Sequence, residues 1–420
     1  MPPIGWIDFS SEHREKMRAA IDCLSTPGAV DELGIGIIRD AFADTLFPGI
    51  STIQTRPKYF IRSARLLEKY RQEQGSHRRS KSLEQFLEDE ELLDRIRLVQ
   101  AHGADSDSIG IIGGSFGTRT DQNVQRRPSS VYWNGLREFG IVQPAKLSLA
   151  EFGRRLSDNH KSLHSLLNDT SKEVGDDLDA MDHTQTIRIS LPPGIEETRE
   201  QLTIELTDDE AVFLRNKIIS HQPGSLLGQI LMDDYAIAEI MDLQKNPKFA
   251  DLAALTFIGA LEDTQLRRTV VHALKFWQLL FGAHIRYNCM LQTISGTKEK
   301  KEEFQADWEH WRENLPNYLE DWDTDFMWAV VTAKGRKPRP QTRTFIESWI
   351  TQCHDSASDL VECERLVKQQ ERANKGKRAR LTKNEGAINH WVGFNDLEYR
   401  FPQVRRILID IHTATEGQHA

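Results

Sequence analysis

The five residues Asp321-Trp322-Asp323-Thr324-Asp325 are the closest approach of this chain to a metal loop. A calcium loop of that kind needs glycine at its sixth position and glutamate at its twelfth, where this sequence has Phe326 and Thr332. Two of these aspartates could serve a magnesium nuclease, but no partner lysine or second acidic motif accompanies them. Cys353-His354 with Cys363 lacks the paired short spacing of a structural zinc site. His160, Lys161 and His164 lack the His-x-Lys order of phospholipase-D-type nucleases. Gly110, Gly113, Gly114 and Gly117 are followed by no Lys-Ser or Lys-Thr and miss the dinucleotide spacing, so they read as a turn between strands. No nucleophile elbow, zincin helix or deaminase signature occurs. The sequence therefore assigns no catalytic residue, no metal ligand and no cofactor, and it favours binding over catalysis.

The strongest binding pattern runs from Arg126 to Val142. Two arginines lead into Pro128, and Ser129 or Ser130 can cap a first helical turn. Tyr132, Leu136 and Phe139 recur at helical spacing and build one apolar face. Gly140 ends the helix, and Ile141-Val142 begins a strand. Ser130, Asn134 and Arg137 lie on the other face with Arg126 and Arg127 just upstream, a set able to reach phosphates and base edges in a major groove. This order of elements resembles the recognition helix of winged-helix DNA-binding domains. The same pattern also describes an ordinary amphipathic helix with a solvated face.

Charge is distributed unevenly. The net value is -9, which argues against a general DNA coat. Yet Arg56, Lys58, Arg62, Arg65, Lys69, Arg71, Arg78, Arg79 and Lys81 face only Glu68 and Glu73 across the same stretch. A second run, Lys334 to Arg343, has five cations and no acid, and a third, Lys368 to Lys383, has seven against Glu371. Segregated positive charge is the footprint expected of phosphate contact, although solvated helices and loops leave the same trace.

These residues must be positioned by a mainly helical chain. Helices are expected over 10–24 and 31–46, and Ser51-Thr52-Ile53-Gln54 forms a capping box for a third that Pro57 interrupts. Helix, turn and a segment bearing Gln54, Thr55, Arg56 and Lys58 is helix-turn-helix-like, with a plain helical hairpin as the alternative. An acidic amphipathic helix follows over 83–99. Residues 155–185 read as an acidic linker, and 187–191 with 202–206 as a small β-hairpin. The clearest helix spans about Thr264 to Gln292, and the aromatic residues from Trp308 to Trp328 read as core or a protein-binding face.

The expected fold class is thus mainly α with minor β. A helical, winged-helix-like module occupies 1–150, a linker and hairpin 151–215, and a helical domain 216–420. Four scattered cysteines, the lack of a long apolar run and an N-terminus without the basic start and apolar core of a signal peptide point to a cytoplasmic protein without a membrane segment.

Gly5-Trp6-Ile7-Asp8-Phe9-Ser10, Asp31-Glu32-Leu33-Gly34-Ile35-Gly36, Ile38-Arg39-Asp40-Ala41-Phe42, Leu46-Phe47-Pro48-Gly49 and Ser51-Thr52-Ile53-Gln54-Thr55-Arg56 resemble a bacterial family classed as a domain of unknown function. The resemblance extends through Ser129-Ser130-Val131-Tyr132-Trp133 and, more loosely, over Tyr399-Arg400 to Ile411. It implies a prokaryotic cytoplasmic protein associated with helicases and nucleases in phage defence, and it transfers no catalytic residue. The resulting expectation is a non-enzymatic DNA-binding subunit of a defence or DNA-processing complex. Its nucleic-acid contacts would be Arg56, Lys58, Arg62, Arg65, Arg78, Arg79, Arg126, Arg127, Ser130, Asn134 and Arg137. Its partners would be DNA and a helicase or nuclease from the same operon. A scaffold without nucleic-acid contact and a cryptic metal-dependent nuclease are the alternatives.

Overall fold

A computed structural model describes residues 30–74, 81–103, 109–156, 187–194, 202–383 and 390–416. The helix expected over 10–24, the Gly5–Ser10 motif, Arg78, Arg79 and most of the acidic linker lie outside the described residues. The chain is mainly helical, with one small antiparallel strand pair among the described residues. Its elements begin with α1 (Gly36–Leu46), α2 (Lys58–Gln74), α3 (Leu83–His102), α4 (Pro128–Glu138), β1 (Val142–Gln143) and β2 (Arg188–Ile189). They continue with α5 (Asp208–His221), α6 (Leu226–Met232), α7 (Asp234–Asp242), α8 (Phe249–Ala253), α9 (Thr256–Ala260) and α10 (Thr264–Ser295). The last are α11 (Lys298–Glu313), α12 (Leu315–Leu319), α13 (Thr324–Ala333), α14 (Pro340–His354), α15 (Leu360–Lys375), α16 (Arg380–Lys383) and α17 (Phe401–Glu416).

Two compact units share the chain. Unit 1 comprises residues up to Leu46 and Lys245–Tyr399, and unit 2 comprises Phe47–Gln244 and Arg400 onward. They do not follow the boundaries expected at 150 and 215.

Unit 1 is built on α10. From Gly282 to Cys289 every residue of that helix is buried, so it is enclosed on all sides rather than amphipathic. Gly282 gives Trp311 room, since a Cβ there would lie 2.2 Å from Trp311 Cζ2. Trp308 and Trp311 stack at 4.9 Å between ring centroids, and Trp349 completes the cluster, so these tryptophans are core. The Asp31–Gly36 motif is held by α15. Gln370 donates to Leu33 O at 2.6 Å, and Asn374 donates to Asp31 O and Glu32 O at 2.8 and 3.0 Å.

In unit 2, α2 packs on α3 and α4. The helix expected from Ser51 does not form. Gln54 Oε1 does accept from Ser51 N at 3.2 Å, as in a capping box, but Gln54 Nε2 turns to Gly49 O and the helix starts only at Lys58. Proline at 57 disfavours helical backbone at Arg56, which explains the delay. The helix-turn-helix reading is corrected accordingly: residues 47–57 separate α1 from α2, and the two helices belong to different units. The expected hairpin is also corrected. Ile189 pairs with Val142 and Arg188 with Gln143, while 202–206 forms no strand. Leu202, Ile204 and Leu206 are nonetheless buried in alternation, and Ile204 N donates to His102 Nε2 instead of to a ladder. Gly110–Gly117 is a turn region that includes a short 3-10 helix over Gly114–Phe116, and no strand flanks it among the described residues.

Gly135 sets the approach of α4 to α2. A Cβ there would lie 2.3 Å from Phe60 Cε1 and 2.7 Å from Gly49 O. Backbone cannot yield as a flexible side-chain tip does, so Gly135→Ala is expected to destabilise unit 2 by about 1–3 kcal/mol despite its better helix propensity. A denaturation midpoint at or above that of the parent protein would refute this packing.

Candidate nucleic-acid interface

Helix α4 is positioned from four sides. Tyr132 is fully buried, and its hydroxyl accepts from Thr55 N and Arg56 N at 2.8 and 3.0 Å while donating to Arg56 O. Its ring meets Phe60 edge-on at 4.7 Å between centroids. Trp133 Nε1 donates to Leu147 O at 3.0 Å. Gly140 follows at φ 61, a left-handed conformation that glycine adopts without strain, and Lys217 Nζ reaches its carbonyl at 3.4 Å.

The helix start differs from expectation. The cap position is Arg127, which makes no side-chain capping bond. Ser129 lies inside the first turn, and its amide donates to Glu91 Oε1 of α3 at 2.6 Å. A carboxylate from a neighbouring helix therefore does the capping that a serine was expected to do.

The four α2-side candidates are spent within the fold. Lys58 is 2% exposed, with Nζ 2.7 Å from Glu210 Oε2. Arg62 grips Asp94 through two bonds of 2.6 and 2.9 Å, and both side chains are buried. Arg65 lies 3.9 Å from Glu210 Oε1. Arg56 pairs with Asp410 at 2.6 Å and donates to Ile109 O. These cations were expected at phosphates because their sequence neighbourhood lacks acids; the acids that meet them come from α3, α5 and α17.

The α4 candidates face outward. Arg127, Ser130, Asn134 and Arg137 form one stripe at spacings of three and four, and Asn134 is exposed. Arg127 reaches Glu84 at 3.2 Å and Glu88 at 3.5 Å, and those carboxylates are 63% and 45% exposed. Arg137 donates to Ala145 O, Leu147 O and Asn134 Oδ1 at 2.9–3.3 Å, so it also braces the loop after β1. Arg126 is half-buried just ahead of the helix.

Several determinants escape a reading of sequence alone. Glu91, Asp94 and Arg95 occupy the buried face of α3, whereas Leu93 is 40% exposed. Arg95 holds the segment leading to α4 through Gln122 O at 2.8 Å and Arg119 O. The available signal was polar residues at helical spacing inside an otherwise apolar stripe. In unit 1, Asp323 caps α13 through Phe326 N at 3.0 Å and pairs with Arg268 at 2.6 Å. Among the described residues, no group of three or more His, Cys, Asp or Glu side chains is placed to hold a metal ion.

The profile of a family of unknown function (DUF6361) matches residues 1–415. No curated protein and no solved structure matches the chain.

Proposed function

The chain belongs to that family, which brings no activity with it, and we propose from the geometry of unit 2 that the protein is a nucleic-acid-binding subunit without a reaction of its own. One observation carries this proposal: the outward side of α4 aligns the exposed Asn134 with the half-buried Arg127, Ser130 and Arg137. Arg127 is held there by the exposed carboxylates of Glu84 and Glu88 and by the Glu84 carbonyl, to which it donates at 3.1 Å. Exposed pairs of this kind contribute about 0–1 kcal/mol, so a phosphate can displace them. The order α2, α3, α4, β1, β2 supports a winged-helix-like module with α4 as its recognition helix. Arg56, Lys58, Arg62 and Arg65 are left out of the interface because the fold uses their charges. Helicase or nuclease partners, as the family resemblance implies, would supply the chemistry on bound DNA.

Fluorescence anisotropy with labelled duplexes tests the proposal. Duplex binding at low ionic strength is expected, and Arg127→Glu should weaken it and flatten its salt dependence by roughly one phosphate contact. Absence of both duplex and single-strand binding at low ionic strength would overturn it and favour the scaffold alternative.

A further inference from the structure

Two of the three basic runs lie in unit 1, outside the site described above. They are Lys334–Arg343 and Lys368–Lys383. Folding brings them to one place. Helices α14 and α15 are joined by residues 355–359 and pack against each other, so the start of α14 lies beside the end of α15. Gln370 Nε2 donates to Thr342 Oγ1 at 3.3 Å and fixes that register.

The cations there divide into two groups. Arg336 pairs with Asp44, Arg343 with Glu347, and Lys375 and Arg380 converge on the buried Glu32. Glu371, the one acid within the two runs, is fully buried. It accepts from Tyr287 Oη at 2.8 Å and from Arg380 N and Leu381 N at 2.6 and 3.2 Å, so its charge is used inside the fold. Lys334, Lys337 and Arg339, which precede α14, are different: they are at or near the surface and have no carboxylate partner among the described residues. Lys368 and Arg372 on α15, with Lys377 and Arg378 after it, share that condition. In a chain of net charge -9, cations gathered without counter-charges repel one another and gain nothing from folding, so their placement asks for an external anion.

We propose that this surface, formed by the turn before α14 and the C-terminal end of α15 with residues 376–378, is a second nucleic-acid site that binds the duplex phosphate backbone without reading sequence. It extends the ligand class proposed for α4 but rests on no residue of α4. A lipid surface fits less well, because the exposed large apolar side chains Ile53, Leu93, Val212, Met232, Tyr235, Leu360 and Val361 all lie outside these residues and interfacial binding needs apolar anchors. Single strands fit less well because no exposed aromatic residue is present there to stack on bases. Lys368 and Arg372 are one turn apart, roughly 6 Å along the helix axis. That is close to the axial rise of two phosphate steps of B-DNA, about 7 Å.

The test uses the full chain with two charge-reversal variants, Lys334→Glu/Lys337→Glu/Arg339→Glu and Lys377→Glu/Arg378→Glu, beside Arg127→Glu. Anisotropy titrations over a salt series would use two duplexes of unrelated sequence, an oligothymidylate and phosphatidylserine vesicles. Both duplexes are expected to bind the parent alike, and each unit 1 variant should lose roughly ten-fold or more in affinity at low salt. The slope of log affinity against log salt should shrink by roughly 0.9 per contact removed. Circular dichroism and the thermal midpoint should stay at parental values, because the replaced residues make no ion pair among the described residues. Native variants with unchanged duplex affinity and slope would overturn the proposal, as would vesicle binding tighter than duplex binding. If Arg127→Glu abolishes binding while the unit 1 variants do not, this site fails and the α4 site stands; the converse pattern removes the α4 site and leaves this one.

Discussion

Arg62→Met is expected to lower the stability of unit 2 by about 3–5 kcal/mol, because it removes the bidentate cationic partner of the buried Asp94 carboxylate. The pair is bidentate at 2.6 and 2.9 Å, and its side chains are only 9% and 5% exposed. Asp94 also raises the cost of a second buried carboxylate, since its charge helps to push Glu91 up. Removing both charges has a different consequence. Arg62→Met/Asp94→Leu puts apolar groups of similar reach in their place and should recover most of the loss, as is usual when a whole buried pair is replaced. Denaturant unfolding of the parent, the two single variants and the double variant gives the coupling energy directly. A phosphate-binding Arg62 would behave otherwise: the single variant would keep its midpoint and lose affinity for duplex. A midpoint unchanged in Arg62→Met would thus remove the structural role assigned here.

That contrast marks what the sequence can and cannot show. The elements of α4 are legible, because Tyr132, Leu136, Phe139 and Gly140 act on near neighbours. Likewise α10 is legible from a long apolar pattern, and the helix runs only three residues further than expected, to Ser295. The direction in which a cation points is not legible, because its partner is set by tertiary packing. Arg56 meets Asp410 across a separation of 354 residues, and Lys58 meets Glu210 across 152. Before folding, a run of arginines and lysines looks the same whether its counter-ions are protein or phosphate. Strand pairing fails for the same reason. Ile189 has a suitable local pattern, but nothing in it specifies Val142 rather than Ile204 as the partner. The runs at 334–343 and 368–383 look weaker in sequence than Arg56–Lys81, yet most of their cations are exposed.

Glu91 provides the second large effect, and it depends on pH. Its carboxylate is buried, one oxygen receives the Ser129 amide at 2.6 Å, and Oε2 has no hydrogen-bond partner. Burial pushes its pKa up to about 7, with Asp94 adding to the rise and the Ser129 amide and Arg127 opposing it. The folded value lies above the unfolded one, so the unfolded chain gives up this proton first. The associated stability is complete below about pH 4.5 and is lost as pH rises through about 7. A displacement of that size corresponds to on the order of 3 kcal/mol once the group is fully ionised. His284 in unit 1 has the opposite sign. It is buried with Nδ1 on Leu280 O at 3.0 Å, and burial pushes it down to about 4, so its cost appears as pH falls below the ordinary histidine range. The two groups oppose each other in mildly acidic solution, and the whole-protein profile alone cannot separate them. Glu91→Gln does separate them, because the amide oxygen can still accept from Ser129 while the titration is gone. The stability of the glutamine variant relative to the parent should rise by about 3 kcal/mol between pH 4.5 and 8.5, with the change centred below 7. Hydrogen exchange at the first-turn amides of α4 should follow the same difference, since Glu91 is what caps them. A pH-independent difference between the two proteins would mean that Glu91 remains ionised throughout and that its burial costs the fold nothing that protonation can relieve.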